Sequence, residues 1–197
     1  DAAPGILDHY YKTATDNDVL ISGPSGIGYS RLQMFTSDYN VNKYFQATNK
    51  YFEKTSFNII TIWNEFKTFG TSRYSNAVAN YFPSLLGLTT QEKSILESRI
   101  RTVNGRIPLI IFADNNGLMS YDQDTNNIKN KLSNIAAGFN GSSPQFYAGQ
   151  LVAWNVRVGA INTMVNELNA QYPGKFAFVR PDHFMMLYNE SNGNPYN

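Results

Sequence analysis

Short apolar runs of strand character alternate along this chain with longer segments whose apolar residues recur every three or four positions. The runs span residues 19–22, 57–63, 107–112, 145–152 and 175–179, each rich in β-branched or aromatic side chains. Between several of them lie helical patterns. Residues 41–54 place Val41, Tyr44, Phe45, Thr48, Tyr51 and Phe52 along one stripe. Residues 90–103 open with a capping-box-like Thr90-Gln91-Glu92-Lys93 and carry Ile95, Leu96 and Ile100. Residues 126–139 offer Ile128, Leu132, Ile135 and Ala136; residues 159–172 offer Ile161, Met164, Val165 and Leu168, then stop at Pro173-Gly174. A helix between successive strands is long enough for a parallel crossover, so the pattern predicts an α/β fold: a mostly parallel sheet with flanking helices. The polar stretches 70–76, 114–126 and 139–144 read as loops too short to separate domains.

The first run leads straight into Gly23-Pro24-Ser25-Gly26-Ile27-Gly28-Tyr29-Ser30. These residues fit the phosphate-loop pattern G-x-x-x-x-G-K-[ST] except at the lysine, where Tyr29 stands. The lysine supplies the charge that meets the β- and γ-phosphates; a tyrosine at neutral pH offers a ring and a neutral hydroxyl. The turn therefore suits a sugar better than a nucleotide.

Gly26-Ile27-Gly28-Tyr29 also resembles the opening of the motif that names the GxGYxYP putative glycoside hydrolases, with Arg31-Leu32 replacing the closing Tyr-Pro. The resemblance extends through residues 42–64, 145–154 and 178–184 and is least clear over 64–104. It implies a carbohydrate ligand and acid/base hydrolysis of a glycosidic bond. In that family the motif lies well inside a longer chain. Five strands also fall short of a complete eight-stranded barrel, which takes about 250 residues. Residues 1–197 are thus expected to be either a single α/β domain or the C-terminal part of a larger barrel-like domain. In the second case the natural partner is the N-terminal fragment of the same precursor.

Composition narrows the setting. A net charge of +1 with 16% charged residues leaves no basic stripe for nucleic acid. No run of 18 apolar residues occurs, so no membrane span is expected. With no cysteine there are neither disulfides nor thiolate metal sites. The sequons Asn140-Gly141-Ser142 and Asn189-Glu190-Ser191 mark two glycosylation sites. Together with few charges and many Asn, Tyr and Thr, they point to an extracellular or secretory-pathway location.

In parallel α/β folds functional groups gather at the carboxyl ends of strands. Glycoside hydrolysis uses two carboxyl groups, one protonating the leaving oxygen and one attacking or activating water. Glu65 and Asp114 follow the second and third runs and form the candidate catalytic pair; the structural reading of each is a helix N-cap or a turn. Gly26, Gly28, Tyr29, Trp154 and Asn155 are the candidate substrate-binding residues, the tryptophan serving as a platform for a pyranose C–H face. Trp63 reads as core. The two glycines have a structural reading too, as positions of positive φ or close packing. Ser25 does not sit in a G-x-S-x-G turn, so no nucleophile elbow is read there. Arg180-Pro181-Asp182-His183 reads as a helix start with Asp182 as N-cap and His183 structural. Two isolated histidines, His9 and His183, give no metal site, and no cofactor is expected. Residues 176–179 are expected to form a buried strand leading into a helix over 181–188. The competing reading is a catalytically inert carbohydrate-binding or structural and storage protein on the same scaffold.

Overall fold

The computed structural model describes residues 3–23, 25–62, 72–91, 99–112, 119–122 and 124–194. The chain divides into two compact units. One comprises Asp1–Thr90, Arg101–Leu109 and Val179–Asn197; the other comprises Gln91–Ile100 and Ile110–Phe178. Elements are numbered in chain order over the described residues: helices α1 Pro4–Thr13, α2 Asp38–Thr55, α3 Ser72–Tyr81, α4 Thr125–Gly138, α5 Val158–Gln171 and α6 Pro181–Ser191, and strands β1 Ile59–Ile62, β2 Gly87–Gln91, β3 Arg99–Val103, β4 Ile107–Phe112, β5 Met119–Asp122 and β6 Ala148–Leu151. Among the described residues no helix is long and apolar enough to cross a membrane.

In the first unit, α2 begins where the Ser37 hydroxyl accepts from the Asn40 amide at 3.3 Å, with Asp38 favourably placed in the first turn. It ends at Ser56, which adopts a left-handed conformation at φ 53°. Val41, Phe45, Thr48 and Phe52 form its buried face, four of the six residues of the predicted stripe. Phe82, just after α3, receives both Phe45 and Phe52 edge-on, with centroids 5.5 and 5.4 Å apart. Such contacts add about 0.5–1.5 kcal/mol each to the area these rings bury.

The sheet order is β1-β2-β4-β3, and the fold is α/β with a mixed, mostly parallel sheet. β1 and β2 run parallel, with Ile59 opposite Gly87 and Ile62 opposite Thr90. The three residues between β3 and β4 cannot make a crossover, so these strands form a hairpin. Asn104 and Gly105 turn it with φ of 51° and 66°, the pair of positive angles that matches strand twist. Behind the hairpin, Arg106 donates to the carbonyl oxygens of Phe82, Pro83 and Leu85, and the Asn189 amide of α6 donates to the Arg106 carbonyl at 2.7 Å.

The second unit contains a β-α-β crossover. β5 and β6 are parallel, Met119 opposite Ala148 and Asp122 opposite Leu151, with α4 between them in sequence. Asp124 caps α4 by accepting from the Asn126 amide. Ile128 and Leu132 of α4 meet Met164 and Leu168 of α5 in a core flanked by Tyr147, Leu151 and Phe176. A Cβ on Gly149 would lie 2.8 Å from Ile128 Cδ1, so the bare backbone lets helix and strand approach.

Four expectations need correction. Residues 19–22 do not form a strand. Ser22 alone pairs in parallel with Ile60, and Gly23-Pro24, whose proline lacks an amide hydrogen, follows at once. The helix expected over 90–103 is absent in the described part: β2 runs through Gln91, and 99–103 is β3. There the β-branched Ile100, Thr102 and Val103 pair across the hairpin, and that pairing overrides helical spacing. Residues 176–179 form no strand; Phe176 is half-buried, while Phe178 and Val179 are 43% and 40% exposed. The expected loops 70–76 and 114–126 contain, respectively, the start of α3 and both β5 and the start of α4. The sequence also left β2, β5, α1 and α3 unforeseen. The described strands make one four-stranded and one two-stranded sheet.

Candidate functional site

The glycine turn lies along β1. Ser22 donates its amide to Ile59 O at 3.0 Å and accepts from the Thr61 amide at 3.1 Å, and the Ser25 amide then donates to Thr61 O at 2.6 Å. The segment therefore runs beside the strand to its carboxyl end. Ser25 is fully buried with φ 67°, a conformation held by its surroundings. Gly26 has φ 99°, and a Cβ there would lie 2.6 Å from Thr48 Cγ2 and 3.3 Å from Ile60 Cδ1. Both structural reasons for a glycine apply at this position. A Cβ on Gly28 would meet nothing closer than the Ser30 hydroxyl at 4.0 Å, so the side-chain direction of this glycine is open space.

Tyr44 clamps the turn, a role absent from the sequence reading. Its hydroxyl donates to Ser25 O at 2.5 Å and lies 3.3 Å from Gly28 O. Burial pushes the phenol above its ordinary pKa, against a hydrogen bond with Ser30 that lowers it. Tyr44 thus remains a donor at neutral pH. Its place on the α2 stripe was legible, but its second duty as a loop anchor had no local signature.

Gly26 and Gly28 line a cavity of about 550 Å³ with residues of α1 and the C-terminal half of α2. Tyr29 is not among its walls; it is 65% exposed. Of the three candidate residues of the turn, Gly26 and Gly28 line this cavity and Tyr29 is presented to solvent.

The carboxyl ends of β1 and β2 meet through the Thr61 and Thr89 hydroxyls, 2.9 Å apart and buried. Glu65 and Asp114 follow β1 and β4 by three and two residues in sequence. Both lie outside the described residues, as do Trp63, Asn64, Asn115 and Asn116. In the second unit, Trp154 and Asn155 follow β6 in a turn where the Asn155 amide donates to Val152 O. Trp154 is 89% exposed, which removes core packing as its role.

Asp182 is not the N-cap of α6. Arg180 holds that position, with Pro181 opening the helix. Asp182 is buried and grips Arg180 through Nε at 3.0 Å and Nη2 at 2.7 Å, while Arg180 Nη1 reaches Asp16 O at 2.6 Å. Burial acts to raise the Asp182 pKa, but the Arg180 hydrogen bond and the His183 amide outweigh it and hold the carboxyl below its ordinary range. His183 is exposed, its ring nitrogen 3.3 Å from Arg180. This cluster ties α6 to the 15–18 turn, in line with a structural role for His183. Among the described residues no group of three or more His, Cys, Asp or Glu is placed to hold a metal ion.

The two sequons differ. Asn140 is exposed, and its Oδ1 accepts from the Ser142 amide and hydroxyl at 3.0 and 2.8 Å. Asn189 is 1% exposed, and its amide nitrogen, the atom a glycan would join, is committed to Arg106 O. Glycosylation at Asn189 is incompatible with this packing.

Residues 1–189 match the family model described as the GxGYxYP putative glycoside hydrolase C-terminal domain. A solved structure titled as a putative hydrolase, from Bacteroides thetaiotaomicron VPI-5482, is similar at a TM-score of 0.73 and 20% identity, over 95% of this chain and 36% of that one. At that identity the likeness establishes the fold, and this chain spans about a third of that protein's length. No curated protein matches the chain.

Proposed function

The chain belongs to the GxGYxYP putative glycoside hydrolase family as its C-terminal domain, and from that premise we propose that it helps bind a carbohydrate and hydrolyse its glycosidic bond. The observation that carries the proposal is Trp154. Burying a large aromatic side chain stabilises a fold by about 2 kcal/mol or more, yet this tryptophan stands 89% exposed just past the carboxyl end of β6. A flat, solvated indole there matches the C–H face of a pyranose, and the neighbouring Asn155 amide supplies a donor and an acceptor for sugar hydroxyls.

In this reading Glu65 and Asp114 are the acid/base pair. One protonates the departing glycosidic oxygen; the other, ionised, attacks the anomeric carbon or takes a proton from water. Tyr29 and the turn carrying Gly26 and Gly28 contribute further sugar contacts. Because the chain spans 36% of its structural relative, an N-terminal segment of the same precursor completes the barrel-like domain in this proposal. An extracellular or secretory-lumen setting, with a glycan on Asn140, accords with the exposed sequon. A second reading, an inert carbohydrate-binding or structural protein, draws on Arg31-Leu32 standing where the family motif has Tyr-Pro.

The chain has two tryptophans, so Trp63→Phe leaves Trp154 as sole reporter. Titration with soluble neutral oligosaccharides is expected to change its emission saturably, and Trp154→Ala to abolish binding at this position. Emission indifferent to every oligosaccharide tested would overturn the proposal.

A further inference from the structure

The cavity beside the glycine turn lies wholly within the first unit and is separate in sequence from Trp154. One wall is the turn itself, with Gly26, Ile27 and Gly28; the other walls come from α1 through Ile6 and Tyr10, from α2 through Tyr51, and from Phe57. Its volume of about 550 Å³ falls in the range of small-ligand sites and exceeds what one buried water needs.

Three features define what fits. Every described residue lining the cavity is uncharged, which disfavours phosphates, carboxylates and ammonium groups, since a buried ion needs a partner. The walls combine aromatic faces with hydroxyls and backbone amides, a mixture suited to a ring that is apolar on its faces and polar at its rim. The open space in front of Gly28 lets a ligand approach the backbone itself.

The fourth feature is α1. None of its residues is buried; Ile6 and Tyr10 remain 57% and 54% exposed, and Tyr51 opposite is 48% exposed. The helix is held at one end, where the Tyr11 ring stacks on Phe57 with centroids 6.5 Å apart and its hydroxyl donates to Thr55 O. A helix whose apolar residues face a cavity instead of a core gains its missing burial when the cavity fills.

We infer that this cavity is a subsite for one or two neutral sugar rings, with Tyr10 and Tyr51 as its platforms and the turn amides meeting ring hydroxyls. The choice of sugar among neutral ring ligands rests on the carbohydrate reading above. The position of the subsite does not: its walls come from α1, the glycine turn, α2 and Phe57, and among the described residues they include no carboxylate. With no carboxylate in these walls, it would contribute binding energy without itself taking part in bond breaking.

Saturation-transfer difference NMR on the intact protein, with maltose and cellobiose as probes and cyclohexanol as the apolar control, tests this. In the Trp154→Ala variant, transfer to at least one disaccharide is expected to persist. Adding Tyr51→Ala or Tyr10→Ala, both at exposed helix positions, is expected to weaken it at least fivefold with the circular-dichroism melt unchanged. Transfer that vanishes with Trp154→Ala alone overturns this subsite and leaves the Trp154 proposal standing. Transfer that ignores Trp154→Ala but is lost on Tyr51→Ala supports the subsite and counts against the Trp154 platform. Transfer to cyclohexanol without either sugar, or no transfer at all, overturns the inference.

Discussion

The Tyr44 hydroxyl donates to the Ser25 carbonyl oxygen at 2.5 Å, joining the middle of α2 to a fully buried serine with positive φ. This bond spans 19 residues of sequence and fixes the glycine turn to α2. Removing it with Tyr44→Phe keeps the ring, its contact with Phe35 at 5.1 Å and the helix. The expected loss is about 1 kcal/mol in urea denaturation, with faster amide exchange over residues 25–28. Unchanged exchange there would show that the turn is held by its strand contacts alone.

The two glycines of the turn should respond differently to the same substitution. Gly26→Ala places a methyl 2.6 Å from Thr48 Cγ2 at a φ of 99°, and overpacking plus backbone strain predict a cost of about 2–4 kcal/mol. Gly28→Ala meets nothing closer than 4.0 Å, so only the strain of its φ of 157° opposes it, at a cost of about 1–2 kcal/mol. Thr48→Ala in the Gly26→Ala background should recover the steric part only. Equal losses at both glycines in chemical denaturation would contradict this account.

Acid should weaken the attachment of α6. The Asp182 carboxyl titrates below its ordinary value of 3.8 in the folded protein. The folded state thus binds the proton less readily than the unfolded chain. The stabilisation is fully present above the unfolded pKa and disappears as pH falls through the folded one. Asp18, held down chiefly by the Thr15 amide and hydroxyl, titrates in the same direction. The gap in melting temperature between the natural protein and Asp182→Asn should be widest near neutral pH and shrink toward pH 3. A gap independent of pH would mean that shape, not charge, is what Asp182 contributes.

For the chemistry, Glu65→Gln and Asp114→Asn in the intact protein should each lower kcat on a hydrolysable oligosaccharide by about 10²–10⁴-fold, with KM little changed. Loss at only one of them would show that the other carboxylate takes no part in the chemistry. Sugar binding without turnover in the unsubstituted protein would favour the inert reading.

Expression through a eukaryotic secretory pathway offers a clean test of the sequons. Asn140→Gln should remove one glycan by intact mass, and Asn189→Gln should leave the mass of the glycan complement unchanged. A glycan on Asn189 in folded protein would contradict the Asn189–Arg106 contact.

Several parts of this molecule were legible in the order of residues. Val41, Phe45, Thr48 and Phe52 recur at helical spacing, and they are the buried face of α2. Six successive apolar residues from Ile107 announce β4, whose positions are all buried. The glycine turn and its likeness to a family motif were visible as well, because close backbone approach leaves glycine little alternative. What the sequence alone determined was therefore local: periodicity, turn chemistry and the alternation that implies parallel strands.

The remainder depended on partners far away in the chain. Residues 99–103 fit a helical or an extended pattern, and pairing with β4 chose the latter; intrinsic preferences of about 1 kcal/mol or less per residue are too small to resist it. Phe176 to Val179 has the composition of a buried strand, yet no neighbouring strand receives it among the described residues, and Phe176 packs instead on the α4–α5 core. Asn140 and Asn189 carry equivalent sequons, and only the fold buries one of them, with its amide on Arg106 O. Trp154 could have been core or platform; its 89% exposure is decided by what surrounds it. Burial and hydrogen-bond partnership are sums over neighbours that the fold assembles, so only the tertiary structure decided them.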